Sequence, residues 1–217
     1  MNKNKIKNNF LDKLIIELDQ GLKVLLVKNL NNKNNLSPAE SIPDLELSPQ
    51  EIKLSSGLIR VDHTGEICAQ ALYKGQALLA KNQETRDYLL QAALEENSHL
   101  IWCQSRLNEL GALPSYLNPI FYTASFLIGF TAALISDKIS LGFVVETENQ
   151  VTKHLNQHLE KISPNDLKSR AILLKMREDE QNHATQALSK GAAPLPYLIK
   201  KLMTAQSKIM TSTAYFI

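Results

Sequence analysis

Apolar side chains recur every three or four positions along most of the chain, which is the spacing of amphipathic α-helices. The first such stretch covers residues 9–28, and a polar, asparagine-rich segment follows over residues 29–50. Beyond it the pattern predicts six helices, at about residues 49–81, 85–110, 118–136, 140–162, 164–190 and 196–212. No stretch shows the alternation of a half-buried strand, so the pattern predicts an all-α fold.

Local signals mark where several of these helices begin. Ser48 is a predicted N-cap, Pro49 occupies the first helical position, and Glu51 completes a capping box. The Ser-Pro pair at residues 163–164 is predicted to cap the fifth of the six helices. The predicted domain organisation is an N-terminal amphipathic helix over residues 1–28, a polar linker over residues 29–50 and one helical domain over residues 51–217.

Composition argues against several classes of protein. The formal net charge is +2 over 217 residues, so no excess of positive charge indicates a nucleic-acid partner. The N-terminal residues carry lysines but no apolar signal core, so export is not expected. Cys68 and Cys103 have the spacing of neither a zinc site nor a disulfide framework. We therefore expect a protein of a reducing compartment.

Two predicted helices carry a glutamate and a histidine where their apolar stripe calls for hydrophobic residues. Glu96 and His99 are three residues apart on one helix, and Glu180 and His183 are three apart on another. Residues at this spacing lie on the same side of a helix, so each pair can reach one centre. A Glu-x-x-His motif on each of two helices is typical of di-metal carboxylate proteins, in which two further helices each supply one glutamate. The sequence therefore predicts a ferritin-like four-helix bundle.

Candidates for the two remaining glutamates lie in the other long helices. Glu66 is surrounded by apolar residues in the helix that follows the linker. Between the two Glu-x-x-His motifs, both Glu146 and Glu148 are available. Glu148 shares a helical face with Val144 and Val151, whereas Glu146 is rotated away from that face. We therefore choose Glu148.

Four carboxylates and two neutral imidazoles form a ligand set rich in oxygen, which suits iron or manganese better than zinc. Their four negative charges balance two divalent cations, so the site carries little net charge in a bundle core. The remaining histidines are less specific. His63 is expected to pack in the core or lie beside the ligands, His154 to line the site or lie on the surface, and His158 to lie on the surface.

The segments "IRVDHTGE" and "YKGQ", followed by the two Glu-x-x-His motifs, resemble the demethoxyubiquinone hydroxylase family of ubiquinone biosynthesis. The resemblance extends from about residue 55 to the end of the chain. It implies six iron ligands, at Glu66, Glu96, His99, Glu148, Glu180 and His183. It also implies that Glu96 and Glu180 bridge the two metals and that His154 supports the site without binding metal. Thr64 departs from the family pattern, in which alanine is usual.

The resemblance further implies an O2-dependent di-iron monooxygenase that hydroxylates the ring of a polyprenylated demethoxyubiquinol. Such an enzyme needs two iron ions per chain and an external reductant, for which NADH is a candidate. A homo-oligomer, or a complex with other ubiquinone-biosynthesis proteins, is compatible with this reading. The alternative is a ferritin-like protein that oxidises or stores iron.

A lipid substrate requires contact with a bilayer. Residues 120–136 contain no charged side chain over 17 positions, which is at the lower limit of a membrane-spanning length. A buried bundle helix is the alternative for this stretch, and we expect one side in the bundle and the other in one leaflet. The last predicted helix carries both apolar residues and lysines and is a second membrane-interface candidate. We therefore expect a peripheral protein on the cytoplasmic face of a bacterial inner membrane.

Overall fold

The computed structural model describes residues 36–217, together with Asp12, Ile15, Ile16, Asp19, Gly21 and Val24. The regular structure of these residues is helical, and none of them lies in a strand, which confirms the prediction of an all-α chain. The six isolated positions are helical. The rest of the predicted helix over residues 9–28, and the predicted linker up to residue 35, lie outside the described residues.

Residues 49–214 contain six helices and the short segments that connect them. The helices are α1 (Pro49–Leu79), α2 (Gln83–Glu109), α3 (Asn118–Ile135), α4 (Asp137–Lys161), α5 (Leu167–Ser189) and α6 (Tyr197–Ala214). The predicted capping box at the start of α1 is present, because Ser48 and Glu51 each accept from the other's backbone N–H. The Ser-Pro pair at 163–164 does not cap α5. Asp166 does so instead, since its carboxylate accepts from Ser169 N.

Helices α1, α2, α4 and α5 form a four-helix bundle, in which α1 packs on α2 and α4 packs on α5. Helix α3 links the two pairs and lies against α1 and α4, while α6 contacts α1 and α4. The arrangement is that of a ferritin-like bundle with two additional helices, α3 and α6, placed on one side of it.

Two apolar layers fill the bundle and leave a gap between them. One layer comprises Leu58, Ile59, Trp102, Cys103, Leu107, Leu155, Leu159, Ile162, Ile172, Leu173 and Met176, together with Ala39. The other comprises Ala69, Leu72, Tyr73, Ala77, Tyr88, Leu89, Ala92, Ala93, Leu141, Val144 and Ala187. On every bundle helix the predicted site residues fall between the two layers, so the polar groups are sealed from water at both ends.

Helix α3 buries small residues in its C-terminal half and exposes several of its large apolar residues. Its buried positions include Gly129, Ala132 and Ala133, whereas Leu127 and Leu134 are more than half exposed. The inward glycine permits very close packing on α1, because a Cβ at Gly129 would lie 2.1 Å from the backbone oxygen of Leu72. Among the described helices, only Asn118–Ile135 is long and apolar enough to cross a membrane by length and composition.

This close approach of α3 to α1 predicts how a substitution at Gly129 affects the stability of the fold. We expect Gly129→Ala to lower the free energy of unfolding by about 1–3 kcal/mol, because the methyl group must push two backbones apart. Gly65→Ala is the matched control, since a Cβ there meets no atom within 4 Å. It should be neutral or stabilising through helix propensity. Thermal unfolding of the two variants tests this, and equal midpoints would contradict it.

Residues 36–48 precede α1 without forming a helix and pack against the bundle. Ala39 is buried in the first apolar layer. Asp44 forms ion pairs with Arg106 of α2, at 3.4 Å, and with Lys168 of α5, at 3.2 Å. Arg106 is itself buried and pairs with the buried Asp166 at 2.8 Å. This segment therefore ties α2 and α5 together at one end of the bundle.

Candidate metal centre

The six residues predicted as ligands meet in the gap between the two apolar layers. Glu66 comes from α1, Glu148 from α4, and the two Glu-x-x-His motifs from α2 and α5. We call these residues the carboxylate cluster: Glu66, Glu96, His99, Glu148, Glu180 and His183. Each is at most 3% exposed. The apolar stripes above and below hold each side chain on the inner face of its helix, which is why helical periodicity located them.

His99 directs one ring nitrogen at three of the carboxylates. Its Nδ1 lies 2.9 Å from Glu96 Oε2, 3.1 Å from Glu180 Oε1 and 3.5 Å from Glu66 Oε2. These four residues each offer one donor atom, and the four atoms lie within 4.8 Å of one another. A single metal ion can therefore contact all four.

His183 mirrors this arrangement on the other side of the cluster. Its Nδ1 lies 3.1 Å from Glu96 Oε1, 3.3 Å from Glu180 Oε2 and 3.9 Å from Glu148 Oε1. These residues form a second group of four donor atoms within 4.8 Å. Glu96 and Glu180 belong to both groups and offer a different oxygen to each histidine, as bridging carboxylates would.

Two acids outside the set of predicted ligands contact the Nε2 atoms of the two histidines. His99 Nε2 lies 3.2 Å from Asp179 Oδ2 on α5, and His183 Nε2 lies 2.8 Å from Glu95 Oε2 on α2. An Nε2–H that donates to a carboxylate leaves Nδ1 free to bind metal and fixes the ring. Sequence reasoning missed both acids. The available signal was the acid that directly precedes Glu96 and Glu180 in each motif.

Tyr73 was also missed. Its side chain is fully buried in the second apolar layer, and its hydroxyl donates a hydrogen bond to Glu148 Oε1. The contact orients this carboxylate and leaves Oε2 without a hydrogen-bond partner. Helical spacing does not distinguish this tyrosine from an ordinary core residue, although it begins the "YKGQ" segment of the family resemblance.

Burial makes the negative charge of this cluster unfavourable without a cation. Burial raises the pKa of Glu66 well above its usual range, and the nearby Glu96 raises it further. Burial likewise raises the pKa of Glu148, with the charge of Glu180 next in importance. Both carboxyl groups therefore tend to hold protons when no metal is bound.

The pKa values of both histidines in the cluster are raised as well. Burial alone would lower the pKa of His99, but hydrogen bonds with Asp179 and Glu180 raise it well above its ordinary value. For His183, burial is outweighed by hydrogen bonds with Glu180 and Glu96, which raise the pKa to about 12. Protons therefore occupy the nitrogens at which a metal would bind.

The metal-free cluster holds protons at the positions where cations would bind, which fits a pair of divalent cations. Glu66 Oε2 and Glu148 Oε2 are buried without a hydrogen-bond partner. A buried anionic oxygen in this condition costs several kcal/mol unless a cation satisfies it. The donor set, with four carboxylates and two imidazoles, suits iron or manganese. The residues present therefore fit a pair of such ions.

These pKa shifts predict how metal stabilisation depends on pH. As pH rises above the ordinary carboxyl and imidazole values, the unfolded chain releases protons that the metal-free folded chain retains, so the metal-free chain loses stability. Metal binding expels those protons, so apparent affinity rises about tenfold per pH unit for each proton released. We expect Mn²⁺ to raise the melting temperature more at pH 8 than at pH 6. An equal or smaller shift at pH 8 would contradict this.

Two spaces adjoin the cluster on different sides. The apolar cavity, of about 110 Å³, lies among α1, α3, α4 and α6, and Glu66 forms part of its wall. Its other walls are mainly apolar and include Phe121, Phe143 and Met203. The polar pocket, of about 240 Å³, lies between α2 and α5 against His99 and His183. The cluster therefore has one apolar and one polar approach.

The remaining candidates lie outside the cluster. His154 is half-buried on the wall of the apolar cavity, and burial lowers its pKa. His63 is buried, and burial lowers its pKa to about 4. The expectation that His158 lies on the surface is wrong, because it is buried against Asp62 of α1, with 2.9 Å between Nδ1 and Oδ1. Glu146 points away from the cluster and forms an ion pair of 3.1 Å with Lys200.

A ferritin-like bundle with a buried cluster of glutamates and histidines defines a class of helical carboxylate proteins with room for two metal ions. Comparison with protein families identifies a narrower group, since residues 53–214 match the family described as ubiquinone biosynthesis protein COQ7. The chain belongs to this family.

Relatives of known name agree with this assignment. The chain is 52% identical to a 3-demethoxyubiquinol 3-hydroxylase of Legionella pneumophila (strain Corby), over 97% of this chain and 99% of the relative. It is 52% identical to the protein of that name from Nitrosococcus oceani, over 95% of this chain and 96% of the relative. A third, from Francisella philomiragia, is 50% identical over 96% and 98% of the two chains.

Proposed function

We propose that this protein is a 3-demethoxyubiquinol 3-hydroxylase, an O2-dependent monooxygenase of ubiquinone biosynthesis. Membership of the family and the near full-length similarity to hydroxylases of that name support the proposal. The reaction places one oxygen atom of O2 on the quinol ring, and the other leaves as water. Two electrons from an external reductant, for which NADH is a candidate, and two protons complete the balance.

The observation that carries the proposal is the apolar cavity, whose wall includes a carboxylate of the cluster. A quinol ring with a polyprenyl tail needs an apolar approach, and Glu66 brings the cluster to the end of that approach. Ser125, Thr147 and Gln150 interrupt the apolar walls and offer hydrogen bonds to ring oxygens. Stored iron would need a hydrophilic path instead, so the ferritin-like alternative is not favoured.

In this proposal the six residues of the carboxylate cluster would hold two iron ions, and Glu96 and Glu180 belong to both groups of donor atoms. The bound iron supplies the electron transfer to O2 that ring hydroxylation requires. Asp179 and Glu95 keep His99 and His183 oriented through their outer nitrogens. The apolar layers on either side of the cluster limit the access of bulk water from those two directions.

We further propose that α3 and α6 attach the protein to one leaflet of a membrane. Ile120, Leu127 and Leu134 recur every seven residues on the outer face of α3 and are 55–65% exposed. On α6 the exposed apolar side chains are Leu198, Leu202 and Ile209. Both helices border the apolar cavity, so a quinol can enter from the bilayer while its tail stays in lipid.

A bacterial inner membrane, on its cytoplasmic face, is the proposed location. The bacterial relatives support the first part. The two cysteines are both free, which suits the reducing side of the membrane.

Membrane attachment predicts the effect of changing the outer face of α3. We expect the protein to co-sediment with liposomes in high salt and to be released by detergent, because apolar burial rather than charge holds it. The affinity of the double variant Leu127→Gln/Leu134→Gln for liposomes should fall at least about tenfold, since two apolar side chains no longer enter the lipid. Leu94→Gln is the control, because Leu94 is 64% exposed on α2, away from α3 and α6. Equal binding by both variants would contradict the proposed surface.

Lipid extraction from a deletion strain tests the proposed function in the cell. We expect loss of ubiquinone and accumulation of its demethoxy precursor, both reversed by a plasmid that carries the gene. Normal ubiquinone levels in the deletion strain would contradict the proposal.

A further inference from the structure

The bundle contains a second buried acid–histidine contact, which the carboxylate cluster does not use. Asp62 of α1 is 6% exposed, and His158 of α4 is also 6% exposed. The ring Nδ1–H of His158 donates to the carboxylate, with 2.9 Å to Oδ1 and 3.0 Å to Oδ2. Asp62 lies one helical turn before Glu66, on the same side of α1. A charged group is thus buried beside the cluster without belonging to it.

This pair stands between the apolar cavity and a second space on the outside of the bundle. Asp62 lines the apolar cavity, while His158 lines a groove of about 510 Å³ between α4 and α6, here called the outer groove. Val61, Gln150 and His154 line both spaces and so form the partition between them. The two partners of one hydrogen bond therefore face opposite sides of this partition.

Ring hydroxylation needs protons on the inner side. The balanced reaction joins a ring C–H, O2, two electrons and two protons to give a ring C–OH and water. The electrons come from the external reductant, and both protons end in the water molecule. The walls of the apolar cavity are mainly apolar, so protons that reach the cluster from this side need titratable side chains or ordered water.

We propose that Asp62 and His158 form a proton relay from the outer groove to the apolar cavity, an inference that rests on the proposed hydroxylase function. His158 takes a proton from groove water at Nε2 and passes its Nδ1 proton to Asp62. The Asp62 carboxyl then donates its proton into the cavity, towards the oxygen that leaves as water. The starting tautomer is restored when His158 releases its Nε2 proton to groove water and takes up a proton from water at Nδ1.

The charges around the pair favour transfer in this direction. The titratable groups on the walls of the outer groove, besides His158, are Lys153, His154, Lys161, Lys208 and Tyr215, and its described lining includes no carboxylate. The three lysines place positive charge on the groove side of the pair. On the inner side Glu66 faces the same cavity as Asp62.

Turnover of a short-tailed demethoxyubiquinol by the purified, iron-loaded chain, in H2O and D2O, tests the relay. Asp62→Asn keeps an acceptor for the His158 N–H but cannot carry a proton. We expect its kcat to fall about tenfold or more, with a larger solvent isotope effect and unchanged KM and iron content. His158→Ala should fall similarly and regain activity when imidazole is added. Gln157→Ala, an exposed neighbour in the outer groove, should match the wild-type chain.

The relay is wrong if Asp62→Asn keeps the wild-type kcat and isotope effect, or if folded, iron-loaded His158→Ala gains nothing from imidazole. A wild-type chain that binds iron but does not hydroxylate the quinol would overturn the proposed function itself, and the relay with it. Turnover by the wild-type chain therefore distinguishes a failure of the relay from a failure of the proposed hydroxylase function.

Discussion

Glu148→Gln is expected to abolish quinol hydroxylation while the chain stays folded. The amide keeps the size of the side chain and can still accept from Tyr73, but it removes the negative charge that a metal ion needs. Glu148 is completely buried, and its Oε2 has no other hydrogen-bond partner. Loss of partners outside the ligand shell costs about 10- to 100-fold in metal affinity or activity, and loss of a ligand should exceed that. Complementation of a ubiquinone-deficient strain, scored by quinone extraction, measures the effect.

Glu146→Gln is the matched control, because the same change is made two residues away on the same helix. Glu146 pairs with Lys200 on α6 and has a side-chain exposure of 14%. Exchange of one partly exposed ion pair for a neutral contact costs little, so activity should stay near normal. A dead Glu146→Gln variant beside a healthy Glu148→Gln variant would reverse the assignment of the fourth carboxylate.

Glu180→Ala is expected to lose most of both metal ions. Glu180 belongs to both groups of donor atoms and offers one oxygen towards each histidine. Removal of a shared carboxylate leaves each ion one ligand short and leaves the cluster with less negative charge. Glu66 belongs to one group only, so Glu66→Ala should retain about one ion. Metal analysis of the two purified variants measures how many ions each of them retains.

The control for this series is Glu178→Ala on the same helix, since the Glu178 side chain is 69% exposed and lies outside the cluster. It should keep the wild-type metal content. Unchanged iron in Glu180→Ala, or zinc as the metal in wild-type protein isolated from cells, would contradict the proposed centre.

Helical periodicity was sufficient to place the bundle and the cluster, because each candidate ligand interrupts an apolar stripe. Leu89 and Ala92 before Glu96, and Cys103 and Leu107 after His99, are all buried on the inner face of α2. The same argument separates Glu148 from Glu146. A polar residue within such a stripe is unfavourable unless something on the inside compensates it, so the exception itself indicates the site.

Features that depend on contacts between helices were not predictable from spacing. Asp179 and Glu95 meet histidines on the opposite helix, and His158 is buried in contact with Asp62 of another helix. The start of α5 was misplaced because Asp166 competes with the Ser-Pro pair as a cap. In each case a local pattern admits several partners, and tertiary packing selects one of them.

Single-turnover reaction of the iron-loaded, reduced protein with demethoxyubiquinol under ¹⁸O2 tests the central claim most directly. Mass spectrometry of the quinone product should show one ¹⁸O atom on the ring, with yield limited by the number of filled centres. The Glu148→Gln protein should give no labelled product. Iron oxidation without ring hydroxylation, or a hydroxylated product whose new oxygen comes from water, would contradict the account.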